Sequence, residues 1–140
     1  MSQITYHYDI AAGDYTRAGE ASTILKKKLK KLGIPSASIR RITIAMYEGE
    51  INMVIHANGG AIDAYIDPDE IRLVLADVGP GIPDVSQAMQ EGFSTASSEA
   101  RSLGFGAGMG LPNMKKNADE IQIESIVDTG TTVTMTFRLE

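Results

Sequence analysis

The chain has 140 residues, too few for two ordinary domains and enough to bury one core, so a single domain over residues 1–140 is expected, without a second catalytic domain. Its residues are 43% apolar and 22% charged, which suits a globular protein, and no apolar run approaches the ~20 residues that a membrane-spanning helix needs. The absence of cysteine excludes disulfides, thiolate zinc sites and a cysteine nucleophile, and a net charge of −5 argues against a nucleic-acid partner, which would require a clustered basic face.

The opening residues, Met1-Ser-Gln-Ile-Thr-Tyr6, lack the basic start and apolar segment of a signal peptide, so a cytoplasmic location without a membrane partner is expected. Residues 4–10 alternate in polarity with β-favouring types and predict a first strand at a sheet edge. From Asp14, a candidate N-cap, Ala18, Ala21, Leu25, Leu29 and Leu32 repeat every three or four residues until Gly33 and Pro35, which predicts an amphipathic helix. Lys26, Lys27, Lys28, Lys30 and Lys31 crowd its end, where cations complement the helix dipole; they read as a solvated face or a contact for an acidic partner.

A second helix is expected from Ser36 or Ser38 to about Ala57, before Asn58-Gly-Gly60. Ile42, Ile44, Ala45, Met46, Ile51, Met53, Val54 and Ile55 surround its axis, so it should be buried on most sides. Glu48, Asn52 and His56 then form one polar stripe at a spacing of four, on a helix where unpartnered polar groups are costly. The stripe should line a cavity or bond a neighbouring loop, and the pair Glu48 and Asn52 carries more chemical weight than His56 alone.

Residues 61–66 and 71–76, separated by Asp67-Pro-Asp-Glu70, read as a hairpin whose second strand stops at Asp77. Asp77-Val-Gly-Pro-Gly-Ile82 is a stiff turn: Gly79 and Gly81 permit close backbone approach, and Pro80 fixes one φ and removes one donor. A short helix over 83–89 and a mobile loop over 91–103 follow. Glycine then occupies every second position in Gly104-Phe-Gly-Ala-Gly-Met-Gly110, ahead of a helix in which Pro112 fits the first turn. A glycine track that delivers backbone amides to a helix N-terminus suits phosphate oxygens. Residues 120–126 and 131–139 alternate clearly and join through Asp128-Thr-Gly130 as a second hairpin. Strands in pairs with few helices indicate an α+β fold, a sheet covered by helices on one face.

Neither G-x-x-x-x-G-K-[ST] nor G-x-G-x-x-G after a strand occurs, so Walker and Rossmann phosphate sites are excluded. What remains is an ordered set: Glu48-x-x-x-Asn52 on a buried helix, Asp77-x-Gly79-x-Gly81 after a strand, and Gly104-x-Gly106-x-Gly108-x-Gly110 opening a helix. Together these resemble the N, G1 and G2 boxes of the GHKL ATP-binding superfamily, which includes gyrase, Hsp90, histidine kinases and MutL, and the resemblance runs from about residue 36 onward. With Glu48-x-x-x-Asn52-x-x-x-His56, Gly92-Phe-Ser-Thr95 and Gly108-Met-Gly-Leu-Pro112, the chain is similar to the stand-alone serine protein kinases that act as anti-sigma factors or switch kinases in bacterial stress and sporulation signalling.

This resemblance implies a two-layer α/β sandwich of GHKL (Bergerat) type with a mixed, mostly antiparallel sheet. It implies ATP and Mg²⁺ as cofactors. Asp77 would accept the adenine amino hydrogen beside Gly79, Gly81 and Ile82; Asn52 would ligate Mg²⁺; Glu48 would be the catalytic base on a serine hydroxyl. Gly104, Gly106, Gly108, Met109, Gly110 and Leu111 would cradle phosphates under a lid over residues 94–103, with His56, Thr95 and Thr131 near the nucleotide. Arg101, Lys115 and Lys116 are unranked candidates to meet phosphate charge. The implied partner is a small STAS-type antagonist protein phosphorylated on serine, with a sigma factor or a phosphatase as further partners and room for a homodimer. A second class stays open: an ATP-responsive binding module that sequesters a sigma factor or activates a partner without obligatory phosphoryl transfer. Histidine kinase activity is not expected, since that needs a phosphorylatable histidine on a separate dimerising helical domain, nor is topoisomerase or chaperone function, which needs a transducer domain.

Overall fold

The computed structural model describes residues 3–11, 13, 16–56, 59–79 and 110–139, with only the backbone of His56 and Gly110. The short helix expected over 83–89, the lid and most of the glycine track lie outside them. In chain order the elements are β1 (Ile4–Ile10), α1 (Glu20–Lys31), α2 (Ser36–His56), β2 (Gly60–Ile66), β3 (Glu70–Asp77), α3 (Gly110–Asn117), β4 (Glu120–Ile126) and β5 (Gly130–Arg138).

The strands form one sheet in the order β1-β2-β3-β5-β4, and all its pairings are antiparallel, so the mixed sheet that was expected has no parallel pair among the described residues. Strand alternation decides its two faces. Ile62, Ala64 and Ile66 of β2, Ile71, Leu73 and Leu75 of β3, and Val133, Met135 and Phe137 of β5 are all buried on one side, beneath Leu25, Leu29, Ile42, Met46 and Met114 from the helices. Each large side chain among them contributes about 2 kcal/mol when fully withdrawn from water. The architecture is therefore the α+β, two-layer one expected, with β1 at an edge.

Helix α2 runs as its sequence suggests, but it is not closed all round: Ile44 and Tyr47 are 36% and 39% exposed, leaving one open strip. Helix α1 starts five residues later than an N-cap at Asp14 would place it. Gly19, in the left-handed region at φ 92°, turns the chain into the helix, and no side chain of that turn caps it. The cap comes from α2: the carboxylate of Glu50, 2% exposed, accepts the backbone N–H groups of Gly19 (3.0 Å), Ala21 (3.1 Å) and Ser22 (3.0 Å) and the Ser22 hydroxyl (2.7 Å). Four otherwise orphaned donors are thus satisfied across 28 to 31 residues of sequence. At the other end Gly33 at φ 78° lets its own N–H reach Lys30 O (3.1 Å) and that of Ile34 reach Leu29 O (3.2 Å), the Schellman arrangement. Of the five lysines, Lys28 lies over the Tyr6 ring at 4.1 Å, while Lys26, Lys27, Lys30 and Lys31 are exposed.

Candidate functional site

Asp77 ends β3 half-buried, and what faces it comes from the far end of the chain. Because β5 is the neighbour of β3, its first residues lie beside Asp77, and the Thr131 N–H donates to Asp77 Oδ1 at 2.9 Å. Thr131 is buried, and its hydroxyl shares a 2.8 Å hydrogen bond with the Ser125 hydroxyl. Burial raises the Asp77 carboxyl above the ordinary carboxylate range, and the Thr131 N–H partly offsets this. Oδ2 takes no hydrogen bond from the described residues. Beyond Asp77 the chain is held at both next residues: the Val78 N–H donates to Gly59 O (3.0 Å) and the Gly79 N–H to Thr129 O (3.2 Å). The strand end is therefore rigid where the carboxylate is presented.

The second part of the site is the face of α2 that carries Glu48 and Asn52, both half-buried and one helical turn apart. Gly49, between them, has no Cβ where one would run into the Leu75 side chain and lie 3.4 Å from Met114 Sδ. The missing atom makes room for the Leu75 side chain of β3 against α2, and Met114 of α3, 1% exposed, lies in ordinary contact beside it. Asn113, next to Met114, reaches Glu48: its Nδ2 donates to Glu48 Oε1 at 3.4 Å. Two turns earlier on α2, Arg41 Nε donates to Asn117 O at the end of α3 (3.2 Å) and its Nη2 pairs with Asp119 (2.8 Å).

Of the residues expected in the site, Asp77 and Thr131 are brought together, Gly79 is buried beside them, and Glu48 and Asn52 share one face. Gly110 opens α3 and Leu111 is buried in the core. Lys115 and Lys116 lie exposed in the last turn of α3, where they complement its dipole. The His56 side chain, Gly81, Ile82, Thr95, Arg101, Gly104, Gly106, Gly108 and Met109 lie outside the described residues. Sequence reasoning did not single out Glu50, Asn113 or Arg41. For Glu50 a signal existed, since a carboxylate between Gly49 and Ile51 of an apolar helix demands donors. For Asn113 the signal was weaker, a polar residue placed between Leu111 and Met114. Among the described residues no three His, Cys, Asp or Glu side chains gather as a metal-holding set, and no helix is long and apolar enough to cross a membrane.

A five-stranded antiparallel sheet under helices, with Asp77 at a strand end and Glu48 and Asn52 on one face of α2, is the architecture of the GHKL class. Residues 11–137 match the model of the histidine kinase-like ATPase domain, and the chain belongs to that family. As such a domain it binds ATP. It is 33% identical over 108 residues to the serine/threonine-protein kinase RsbT of Bacillus subtilis, covering 74% of this chain and 75% of that one. It is 35% identical over 121 residues to the anti-sigma F factor of Caldanaerobacter subterraneus, covering 83% and 81%. The same fold recurs in a structure of RsbU and RsbW domains from Mycobacterium tuberculosis (TM-score 0.65, 20% identity, 97% of this chain and 32% of that one). It recurs too in the catalytic domain of the histidine kinase ThkA (TM-score 0.57, 16% identity, 99% and 97%).

Proposed function

We propose that this protein is an ATP-dependent serine protein kinase that regulates a bacterial sigma-factor pathway by phosphorylating a small STAS-type antagonist protein in the cytoplasm. The relatives named as a serine/threonine kinase and as anti-sigma F factors support this reading. The observation that carries it is the placement of Glu48 one turn from Asn52, on a face next to the helix that follows the glycine track.

In this reading Asp77 Oδ2 accepts the adenine amino hydrogen, with Gly79 and Gly81 keeping the approach open and Ile82 and Thr131 beside it. The glycines at 104, 106, 108 and 110, with Met109 and Leu111, bring backbone amides to the phosphates; His56 and Thr95 complete the surroundings of the nucleotide. The donor set fits Mg²⁺ held jointly with phosphate: Asn52 offers one neutral oxygen, and Mg²⁺ keeps water and phosphate ligands while taking few from protein. When bound, Mg²⁺ neutralises charge on the phosphate oxygens. In the transfer step the acceptor serine oxygen bonds to the γ-phosphorus, the bond from that phosphorus to the β–γ bridging oxygen breaks, ADP leaves with the electron pair, and the serine proton passes to Glu48.

The names of the anti-sigma relatives favour a second reading, ATP-responsive sequestration of a sigma factor without obligatory transfer. Labelled ATP, Mg²⁺ and a STAS-domain protein from the same genome separate the two. Glu48→Gln should retain nucleotide affinity and lose roughly 100-fold or more in transfer, whereas Asn52→Ala should weaken Mg²⁺-dependent binding itself. If Glu48→Gln transfers phosphate at the parent rate, Glu48 is structural; if the parent transfers none yet holds a sigma factor, the second reading replaces the first. Asp77→Asn, which exchanges an acceptor-only carboxylate for an amide with two donors, should erode preference for ATP over GTP.

A further inference from the structure

We propose that Asn113 is a positioning residue for the Glu48 carboxylate, a role that rests on the phosphotransfer reading above. The Asn113 Nδ2 donates to Glu48 Oε1 at 3.4 Å, a long contact of the kind that tightens when a catalytic complex forms. A glutamate's terminal torsion is broad, so an unrestrained carboxylate can turn either oxygen, or neither, toward an incoming hydroxyl. Tying Oε1 to an amide donor sets the carboxylate plane and leaves Oε2 to receive the proton. The amide does so without adding charge, whereas a lysine or arginine in its place would stabilise the carboxylate and weaken it as a base.

The helix that carries the donor is tied to α2. The backbone carbonyl of Asn113 accepts from Asn117 Nδ2 at 2.8 Å, and the backbone carbonyl of Asn117 in turn accepts from Arg41 Nε of α2. Met114, the next residue, is 1% exposed and lies in contact with α2 at Gly49, the residue after Glu48. The two helices thus pack together at the step where the polar contact lies.

The test uses the full chain with ATP, Mg²⁺ and a serine-bearing STAS-domain protein from the same genome. Asn113→Asp keeps size and replaces the donor by a second carboxylate; kcat should fall by about tenfold or more, as expected for a misplaced base, while KM and Kd for ATP stay within about twofold. Asn113→Gln keeps a donor and should hold kcat within about threefold of the parent. In thermal melts, Glu48→Gln combined with Asn113→Asp exchanges the roles of amide and carboxylate, so it should regain the Tm lost by Asn113→Asp while remaining inactive. An Asn113→Asp variant with parental kcat, or one whose loss lies wholly in ATP affinity, overturns this inference and leaves the phosphotransfer reading standing. Failure of the double variant to regain Tm removes the contact on which the inference stands. A parent that transfers nothing overturns both readings.

Discussion

Gly130 lies directly against Asp77. A Cβ on Gly130 would run into the Asp77 carbonyl oxygen and sit 3.3 Å from Asp77 Oδ1, the atom that accepts the Thr131 N–H. Gly130 also has φ 153°, a value that side chains rarely adopt. The start of β5 can therefore approach the end of β3 closely only because residue 130 is glycine, and that approach orients the carboxylate.

Gly130→Ala should accordingly disturb both fold and ligand. The added methyl meets backbone, which cannot swing away as a side-chain tip can, so the cost in unfolding free energy should be about 2 kcal/mol. The displaced Asp77 should bind ATP about tenfold more weakly. Chemical denaturation and nucleotide titration of the same preparation check the two effects; a Gly130→Ala variant with parental ATP affinity would show that Asp77 is placed by something else.

A different carboxylate should matter for stability alone. Glu50 holds three backbone N–H groups and a hydroxyl at the start of α1, so Glu50→Ala should cost about 3 kcal/mol through buried donors left unpaired. Glu50→Gln, with one acceptor oxygen, should cost less. Urea midpoints of the two variants test the order, and a Glu50→Ala variant as stable as the parent would mean that water takes over the cap.

How far these relationships were legible beforehand depends on whether the partner lies close by in sequence. The alternation of residues 120–126 and 131–138 and the Asp-Thr-Gly turn contain the β4–β5 hairpin locally, and the same holds for β2 and β3 around Asp67, whose Oδ1 takes the Asp69 and Glu70 N–H groups, both at 2.8 Å. The start of α1 was misplaced because its cap, Glu50, sits on another helix. Asp77 announced itself as a carboxylate at the end of an apolar run, but its bond to Thr131 depends on β5 entering the sheet beside β3, and no local pattern encodes that adjacency. Asn113 escaped for a similar reason: its meaning comes from the crossing of two helices at Gly49.

The packing at that crossing can be disturbed from beneath. Gly49→Ala places a methyl into the buried Leu75 side chain of β3, and overpacking of this kind should cost about 1 to 3 kcal/mol. Since Leu75 or the α2 turn itself must shift to relieve it, Glu48, the neighbouring residue, should move relative to Asn113, and phosphate transfer should fall further than the loss of folded protein explains. Activity per folded molecule, compared with thermal denaturation, distinguishes this from simple instability; a variant that loses stability but keeps full specific activity would uncouple the crossing from the site.

The exposed sheet edge predicts a pH response with a definite sign. His7 of β1 stands between two carboxylates, Asp63 of β2 at 2.6 Å from Nδ1 and Asp9 at 2.9 Å from Nε2, and these hydrogen bonds, Asp63 first, raise its pKa above 6.5. Because the folded value exceeds the unfolded one, the contribution to stability is fully present below pH 6.5 and is lost as the pH rises through the raised folded value. Asp119 behaves in the opposite sense: the Arg138 N–H, and then Arg41, lower its pKa below 3.8, so its contribution is present above that value and is lost only as the pH falls through the depressed one. The two windows do not overlap, and any loss as the pH rises above 6.5 belongs to His7 among these two groups. The parent Tm should decline over that range and the decline should flatten in His7→Gln. NMR titration of the His7 ring should give a raised pKa that drops more on Asp63→Asn than on Asp9→Asn; an equal or reversed order would make Asp9 the principal partner.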